Sequence, residues 1–386
     1  MEQAQNQGRP ITVIGAGSSG HAVAAFLSLQ GYTVKLWNRN DATEVERWLN
    51  PIIERGGIEA KGKIEGFAPI QHVTTDLASA LEGSSAVLVN TTTDAYPELA
   101  QQLAAHLTED QPVILMAAGT LGSIEFLKGL TAAGFTGDLL IGETPGTIFG
   151  SRANAPAVVE IAGQKKNVKL STLPRGREAE LAAVVPEFEL AVGGDVLSSG
   201  FNNTGASLHV VPMVLNAGWI ESTEGDFLYY QEGITPALAA AIEQIDNERL
   251  AVASAFGYEA TSLHDYLVKG LGAPAGNLND TIHGVAMYAS MPAPKTLDHR
   301  FLWEDALAAV VPVLALAEIA GVPAPMHQAM LTTSSALLNR DLAAEGRTTS
   351  NLNLEGYTVE EMKNLVNDAT ALADWKQRTA SVPVSV

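Results

Sequence analysis

The sequence predicts an N-terminal α/β domain, built as a doubly wound parallel sheet, followed by an all-helical C-terminal domain. Three observations predict this arrangement. Short apolar runs alternate with helical stretches through the first half, as expected for strands buried under helices on both faces. Beyond residue 196 the segments become long, alanine- and leucine-rich and helical in period. The length of 386 residues, 46% of them hydrophobic, suits two cores, which we place in residues 1–196 and 197–386.

The elements of the first domain follow in a regular order. Ile11–Ile14 is predicted as the first strand, Ala22–Leu29 as the helix after it, and Thr33–Trp37 as the second strand. Apolar runs then predict further strands at Ala86–Val89, Pro112–Met116 and Leu139–Gly142, with Val158–Ile161 and Asn167–Leu173 completing the domain.

The second domain is predicted from four long segments with helical period. Thr235 and Pro236 form a favourable helix start, because the hydroxyl can cap the helix and proline suits its first turn. The predicted helices are Gly205–Ala217, Pro236–Phe256, Glu304–Ile319 and Met326–Leu338.

Composition and charge exclude several classes of function. The chain has no cysteine, which excludes a disulfide scaffold and a thiolate metal site, and we assign no metal. With 23 Lys and Arg against 43 Asp and Glu, the net charge of -20 disfavours nucleic acid and membrane surfaces as partners. The polar start Met1–Pro10 does not resemble a signal peptide, and the longest apolar run, Ala306–Ala317, is too short to span a bilayer. We therefore expect a cytoplasmic protein.

A glycine-rich loop follows the first predicted strand. It consists of Gly15, Ala16, Gly17, Ser18, Ser19 and Gly20, which form a complete GxGxxG pattern between a strand and a helix. In this context the first glycine permits the tight turn, the second lets backbone approach a pyrophosphate, and the third lets the helix pack on the strand. The loop therefore predicts a Rossmann-type dinucleotide-binding domain.

The residues after the second strand bear on which dinucleotide binds. An acidic residue there holds the ribose of NAD, whereas a basic residue suits the 2'-phosphate of NADP. Here Asn38 occupies the position of the acid and Arg39 follows it, which favours NADP(H) as the cofactor. NAD(H) stays open, with Arg39 as a solvated arginine and Asp41 holding the ribose.

The catalytic candidates lie in the helical half. Between Arg177 and Arg249 there is no lysine or arginine, so His209 is the titratable group there that can carry a positive charge. Arg300 can clamp a carboxylate with two hydrogen bonds, and Asp305 can orient a histidine and stabilise its imidazolium. Each has a structural alternative: His209 as a core residue, and Arg300 paired with an acid at a helix start.

Several motifs, taken in order along the chain, resemble the octopine/nopaline-type opine dehydrogenases, and especially the bacterial N-(1-carboxyethyl)-amino-acid dehydrogenases. One departure lies after the second strand, where the bacterial members carry an acidic residue and this chain has Asn38 and Arg39. The matching segments are Gly15–Ala22, Ile141–Thr144, His209–Pro212, Leu215–Ala217, Tyr229–Pro236, Arg300–Asp305 and Glu345–Thr348.

The resemblance implies a reaction and a set of roles. An L-amino acid condenses with a 2-oxo acid, usually pyruvate in this family, and hydride from NAD(P)H reduces the resulting imine. His209 exchanges the proton, Asp305 orients and charge-balances His209, and Arg300 grips a substrate carboxylate. Loops after the later strands, at Asn90, Ala118 and Glu143, are expected to border the nicotinamide. Glu143 and Thr144 are expected near the substrate, where the Thr144 hydroxyl could help to hold the second carboxylate.

Two other functions are consistent with parts of the sequence. A ketopantoate- or glycerol-3-phosphate-type reductase has similar domains, but is disfavoured by the absence of lysine between Arg177 and Arg249. A non-catalytic NADPH-binding sensor would not need the combination of His209, Arg300 and Asp305. A homodimer is expected because symmetric dimers are the commonest oligomers.

Overall fold

The computed structural model describes residues 8–381. They divide into two compact units: unit 1 contains residues 8–118, 122–199 and 364–381, and unit 2 contains residues 119–121 and 200–363. The sequence-based division at 196 and 197 placed the whole C-terminal part with the helical domain, whereas the structure has residues 364–381 in unit 1. Most of Met1–Pro10, for which we predicted no signal peptide, lies outside the described residues.

All the strands described here belong to unit 1. In chain order they are β1 Ile11–Ile14, β2 Val34–Trp37, β3 Gly57–Gly62, β4 Gly66–Pro69, β5 His72–Thr74, β6 Ala86–Val89, β7 Val113–Leu115, β8 Ile141–Glu143, β9 Phe149–Ala155, β10 Val158–Gln164, β11 Lys169–Leu173 and β12 Ala191–Val192.

The larger sheet has eight strands in the order β12-β11-β8-β7-β6-β1-β2-β5. Its centre is parallel, with Ile11 of β1 in register with Val34 of β2 on one side and Ala86 of β6 on the other. β1 and β6 are buried along their whole length, as expected for central strands covered on both faces. The predicted parallel sheet is therefore present, but β11 runs antiparallel to β8.

A second sheet of four strands, in the order β4-β3-β10-β9, was not predicted. The predicted strand Val158–Ile161 lies within β10 of this sheet rather than in the parallel one. In β9 only Phe149 is buried, β10 alternates between buried and accessible residues at its start, and both include glycine, so their apolar pattern is weak. Pairing of β10 with β3, about a hundred residues earlier in the chain, holds the sheet together.

Helices cover the parallel sheet of unit 1 and are the main regular secondary structure of unit 2. In chain order they are α1 Ser18–Leu29, α2 Ala42–Glu44, α3 Asn50–Arg55, α4 Leu77–Leu81, α5 Tyr96–Leu103, α6 Gly122–Ala132, α7 Glu178–Ala182, α8 Val196–Gly200, α9 Val211–Leu215, α10 Ala217–Thr223, α11 Pro236–Ala255, α12 Leu263–Asp265, α13 Leu278–His283, α14 Arg300–Asp305, α15 Val311–Ala320, α16 Pro325–Leu338, α17 Leu342–Glu345, α18 Val359–Asn367 and α19 Ala369–Ala380.

Two of the predicted helices contain π-helical turns. The predicted helix Glu304–Ile319 begins earlier, at Arg300, and passes through the π-helical turn Ala306–Val310 into α15. The predicted helix Gly205–Ala217 begins with the π-helical turn Ala206–Val210 before α9. Each π-helical turn precedes a proline at the second position of the next helix, and proline lacks the N–H that a regular α-helical ladder needs.

Helix α11 organises the core of unit 2 through buried charged residues. Arg249, 2% exposed, is ion-paired with Asp246 and donates to the carbonyls of Phe201 and Thr261. Asp246 also accepts a hydrogen bond from the backbone of Leu263 at the start of α12. Because each charge is paired and hydrogen-bonded, burial does not leave an uncompensated ion. α11 thereby fixes the loop that precedes the turn containing His209.

Within the described part of the chain, no helix combines the length and the apolar character needed to cross a membrane.

Candidate active site

The glycine loop of unit 1 has the geometry of a phosphate-binding turn. Gly15 has φ +98°, and a Cβ there would lie 2.8 Å from the carbonyl oxygen of Asn90. A Cβ on Gly20 would collide with the Gly15 carbonyl, so a side chain would separate α1 from the turn. Apart from its own chain neighbours, no described residue has an atom within 4 Å of the Cβ position of Gly17. The open space at the second glycine fits the backbone approach that a pyrophosphate requires.

The start of α1 is held by side chains from neighbouring elements. The Ser18 hydroxyl accepts from the backbone of Ala153 in β9, and the Ser151 hydroxyl donates to the Ser18 carbonyl. The Ser19 hydroxyl donates to the side chain of Asn90 at 2.9 Å. Gly17, at the N-cap, provides no capping side chain, so the first N–H groups of α1 are available to an anion.

The polar residues of the loop after β2 make different contacts. Asn38 is buried, and its amide lies 3.4 Å from a carboxylate oxygen of Glu44. Asp41, the alternative ribose ligand, instead caps α2 by accepting from the backbone N–H of Glu44 at 3.0 Å. Arg39 is exposed and forms no ion pair with any residue that the structure describes. An unpaired arginine in so acidic a chain is available to a phosphate.

Three side chains that contact one another next to this loop, those of Arg47, Trp48 and His21, were not selected from the sequence. The guanidinium of Arg47 lies 4.4 Å from the centre of the Trp48 ring, which meets His21 edge-on at 5.4 Å. His21 is fully buried in the first turns of α1, and its burial lowers its pKa, so the ring is neutral. The consecutive residues Arg47 and Trp48 could have indicated a cation–π contact from the sequence. The position of this contact beside α1 depends on the fold.

Backbone hydrogen bonds within unit 1 hold the loop after β6 to the end of β1, and the loop after β7 to the loop after β8. Asn90 is buried and its backbone N–H donates to Ile14, while Ala118 donates to the carbonyl of Thr144 at 3.1 Å. The hydroxyl of Thr144 donates to Gly146 and accepts from the backbone of Ala117. These bonds fix the edge of the sheet at which ligands of such folds lie.

Glu143 is fully buried at the end of β8. One of its carboxylate oxygens accepts from the backbone N–H of Ser123 at 3.0 Å, near the start of α6. A carboxylate at a helix start is stabilised by the helix dipole. The structure therefore places Glu143 in a helix-stabilising contact inside unit 1.

Unit 2 brings His209 and Asp305 into direct contact. Nδ1 of His209 lies 2.8 Å from Oδ2 of Asp305, and both side chains remain partly accessible, at 27% and 19%. The acceptor oxygen assigns the ring proton to Nδ1. Nε2 then carries a lone pair, and it forms no hydrogen bond within residues 8–381. The pair is thus arranged to accept a proton at Nε2 and to stabilise the resulting charge.

Aromatic residues that sequence reasoning did not select surround this pair. Phe301 stacks on His209 with ring centres 3.9 Å apart and planes 4° from parallel. Tyr229 donates from its hydroxyl to the backbone carbonyl of His209 and packs on Phe301. Burial, together with the charge of Asp305, raises the pKa of Tyr229 far above its usual value, so it stays protonated. His299 accepts from the backbone of Phe301, and burial lowers its pKa.

Arg300 lies on the same helix as Asp305. Its Nε is 2.8 Å from Oε2 of Glu304, and the two side chains differ sharply in exposure, at 57% and 8%. The ion pair anchors the inner edge of the guanidinium, which leaves the two Nη groups to face solvent or a ligand. The structure thus brings His209 and Asp305 into contact and places Arg300 five residues before Asp305 on α14, all within unit 2. The other predicted site residues lie in unit 1.

Two sequence families match separate parts of the chain. Residues 192–338 match a family described as NAD/NADP octopine/nopaline dehydrogenase, alpha-helical domain. Residues 10–132 match a family described as NAD-dependent glycerol-3-phosphate dehydrogenase N-terminus. An opine dehydrogenase of Arthrobacter sp. (strain 1C) is 30% identical over 365 residues, which cover 93% of this chain and 99% of that protein.

Solved structures share the fold along nearly the whole chain. An octopine dehydrogenase solved with NADH and L-arginine superposes with a TM-score of 0.74 at 16% identity, covering 92% of this chain and 97% of that one. A yersinopine dehydrogenase with bound NADP+ gives a TM-score of 0.69 at 16% identity, covering 96% of this chain and 98% of that one.

Proposed function

This chain belongs to the octopine/nopaline-type opine dehydrogenase family, and from that membership we propose that it joins an L-amino acid to a 2-oxo acid by NADPH-dependent reductive N-alkylation. The product is an N-(carboxyalkyl)amino acid, and the reverse reaction oxidises it. Pyruvate is the 2-oxo acid we propose. The chain is an NAD(P)-dependent oxidoreductase, and this family includes members described with NADH and with NADP+.

The reaction requires one condensation and one reduction. The substrate amino group attacks the carbonyl carbon of the 2-oxo acid, water leaves, and a C=N bond forms. The bound dinucleotide supplies the hydride that reduces this bond. Each step before and after reduction moves a proton at nitrogen or oxygen, so the chain must provide a group that accepts and returns protons near neutral pH.

We assign that role to His209. Its Nε2 accepts a proton from the substrate ammonium, which frees the amine for attack, and returns the proton to the oxygen that leaves as water. Asp305, bonded to Nδ1 at 2.8 Å, holds the ring in one tautomer and stabilises the imidazolium that forms. Phe301 keeps the ring plane fixed. The His209–Asp305 contact is the single observation that carries the proposed function.

Arg300 is proposed to hold a substrate carboxylate. Because Glu304 occupies the Nε side, the two Nη groups can donate two parallel hydrogen bonds to one carboxylate. A carboxylate held in this way fixes the reacting carbon relative to the helix that carries Asp305. The rest of the substrate is then oriented, which raises the effective concentration of the reacting groups.

The dinucleotide is proposed to be NADP(H), held by the glycine loop and the loop after β2. Gly15, Gly17 and Gly20 shape the turn for the pyrophosphate. Arg39 supplies a cation for the 2'-phosphate, and Asp41, the alternative ribose ligand, caps α2 by accepting from the backbone of Glu44. Arg47, held on Trp48, is a second cation in the same region, and within residues 8–381 it forms no ion pair.

The test is NADPH consumption across a matrix of amino acids and small 2-oxo acids, with the secondary amine product identified by mass spectrometry. We expect turnover that requires both substrates. Ketopantoate and dihydroxyacetone phosphate serve as the alternative substrates. Turnover of either one alone, with none on any amino acid and 2-oxo acid pair, would show that the assignment is wrong.

The two alternative functions are not favoured. Similarity to glycerol-3-phosphate dehydrogenases covers only residues 10–132, the dinucleotide-binding part, whereas the helical part matches the octopine/nopaline family. A non-catalytic sensor has no use for an accessible histidine bonded to a carboxylate.

Two further properties belong to the proposal. We propose a homodimer, since symmetric dimers are the commonest oligomers, and light scattering on the purified protein measures its mass directly. We also propose a cytoplasmic location, where the 2-oxo acid, the amino acid and NADPH are all available.

A further inference from the structure

We propose that Gly205 is a positioning residue for catalysis, because the absence of a side chain there is what lets the carboxylate of Asp305 reach His209. This inference rests on the proposed function. A Cβ on Gly205 would overlap Oδ1 of Asp305 and would lie 2.8 Å from its Cγ. Real carbon atoms do not approach a carboxylate so closely. A side chain at position 205 would therefore displace Asp305.

The backbone of Gly205 does not itself require glycine. Its φ of -59° and ψ of -41° are ordinary right-handed helical values that any residue adopts. Glycine in such a position lowers helix stability compared with alanine. Glycine is therefore needed at position 205 because the Asp305 carboxylate occupies the space of a side chain. The backbone conformation at this position does not require glycine.

Gly205 and His209 are one helical turn apart and share a face of the helix. Asp305 lies along that face, with Oδ1 against Gly205 and Oδ2 on Nδ1 of His209. The two carboxylate oxygens belong to one rigid group. A side chain at position 205 that moves Oδ1 of Asp305 therefore also moves Oδ2 and breaks or lengthens its hydrogen bond with His209.

Neighbouring contacts prevent the two elements from moving apart. The backbone N–H of Gly205 donates to the side chain of Asn203 at 2.9 Å, and Asn203 donates to the carbonyl of Ala308 at 3.2 Å. Ala308 lies three residues beyond Asp305 on the same helical segment. Asn203 thus ties the Gly205 turn to the element that carries the carboxylate.

The imidazole cannot follow a displaced carboxylate. Phe301, one turn before Asp305 on α14, stacks on the His209 ring at 3.9 Å and fixes its plane. The pair Phe301 and Asp305 on one helix therefore faces the pair Gly205 and His209 on the other. A methyl group at position 205 would separate the carboxylate from a ring that is held in place.

The test compares Gly205→Ala with Gly218→Ala. Gly218 lies in α10, and a Cβ there meets no atom within 4 Å, so it is a matched helical control outside the proposed site. We expect Gly205→Ala to lower kcat about a hundred-fold, the scale expected for a misplacement of about 1 Å. We expect Gly218→Ala to stay within two-fold of wild type, and the dissociation constant for NADPH to be unchanged in both.

A role through Asp305 is distinguished from a packing role by a double-mutant cycle. In an Asp305→Ala background the collision is absent, so adding Gly205→Ala should change kcat less than three-fold. The pH profile of kcat/KM for Gly205→Ala should also resemble that of Asp305→Asn. Equal losses in both backgrounds, or near-wild-type activity of Gly205→Ala, would overturn the inference.

The stability arm of the cycle needs no substrate. If Gly205→Ala unfolds or loses stability, adding Asp305→Ala should restore the folded protein, because the overlapping group is removed. If Gly205→Ala is unstable and adding Asp305→Ala does not restore the folded protein, the inference is overturned, even if the wild-type enzyme is active. Restoration in a protein that turns over no substrate pair supports the collision and counts against the proposed function instead.

Discussion

Oδ2 of Asp305 lies 2.8 Å from Nδ1 of His209, although the two residues are 96 positions apart in the chain. The carboxylate belongs to α14 and the imidazole to the π-helical turn before α9. Phe301 covers one face of the same ring. Among the residues that the structure describes, this arrangement gives the histidine one hydrogen-bonded nitrogen and one without a hydrogen bond, which suits an acid–base catalyst.

The first prediction concerns this pair as a unit. His209→Ala should lower kcat by roughly two to four orders of magnitude, the usual range for losing a positioned acid or base. Asp305→Asn should also be severe, because it removes the charge that stabilises the imidazolium while retaining the shape of the side chain. The measurement is steady-state kcat with NADPH and the best substrate pair.

The double variant should be little worse than the worse single variant, because the two groups act together. NADPH affinity should stay near wild type in all three proteins, since the pair is not part of the pyrophosphate turn. If His209 is instead a core residue, His209→Ala will be less stable and fully active, and the assignment fails.

The second prediction is a preference for NADPH that depends on Arg39. Hydrogen bonds to charged groups contribute about 1.5–3 kcal/mol, so Arg39→Ala should weaken NADPH binding by roughly ten- to a hundred-fold. NADH binding should be nearly unaffected, because NADH lacks the 2'-phosphate. Equilibrium dissociation constants measured by tryptophan fluorescence or calorimetry give both values without turnover.

Arg47→Ala should also weaken NADPH binding, because its guanidinium is held on Trp48 beside α1. Arg55→Ala is the matched control, since Arg55 is already paired with Glu59 at the end of α3. It should leave both dissociation constants unchanged. Tighter binding of NADH than NADPH by the wild-type protein would contradict this cofactor assignment.

The third prediction concerns the carboxylate clamp. Arg300→Lys should raise KM for one carboxylate substrate by about ten-fold or more, because an ammonium cannot reproduce two parallel hydrogen bonds. The KM values of the amino acid and the 2-oxo acid, measured separately, identify which carboxylate Arg300 holds. The NADPH dissociation constant should not change.

Arg340→Lys is the control for this substitution. Arg340 forms a comparable partly exposed ion pair with Glu345 in unit 2, outside the proposed site. Its replacement should leave both KM values within two-fold. An Arg300→Lys enzyme with wild-type KM for both substrates would remove Arg300 from the substrate site.

The central strands could be predicted from sequence because burial on both faces makes them continuous apolar runs. β1 and β6 coincide with the predicted Ile11–Ile14 and Ala86–Val89. β9 could not be predicted in the same way, since only its first residue, Phe149, is buried and its pairing with β10 contains shifts in register. Its stability depends on partners that the local sequence does not specify.

The candidate site shows the same division. His209, Arg300 and Asp305 could be selected because their residue types suit acid–base chemistry and carboxylate binding, and because no lysine or arginine lies between Arg177 and Arg249. The resemblance of the segments around them to a known family decided the selection over the structural alternatives. Phe301 and Gly205 could not be selected, because their importance lies in a ring stack and in an empty space. Both depend on how two helices face each other.

The last prediction concerns stability at acid pH and the buried pair His327 and Glu248. His327 is 0% exposed, and its Nδ1 lies 2.8 Å from Oε2 of Glu248. Burial lowers the pKa of His327 despite the raising effect of Glu248. Burial would raise the pKa of Glu248, but hydrogen bonds from His327 and from the backbone of Met326 hold it below its usual value.

The lowered pKa values of His327 and Glu248 both make the folded protein less stable as the pH falls. Below the usual histidine pKa of 6.5 the unfolded chain takes up a proton that folded His327 resists, so the free energy of unfolding should fall as pH drops. One such group contributes up to about 1.4 kcal/mol per pH unit. Glu248 adds a second decline as pH falls below its unfolded value of 4.5 and through its lower folded pKa.

His327→Gln tests the histidine part of this prediction, because glutamine can still donate to Glu248 but does not titrate. Urea unfolding at pH values between 8 and 5 should show a smaller decline below pH 6.5 for this variant than for wild type. His264→Gln, the same substitution at a partly exposed histidine outside the His327–Glu248 pair, is measured under the same conditions as the control. Equal slopes for wild type and His327→Gln would mean that His327 takes up its proton equally readily in the folded and unfolded chain.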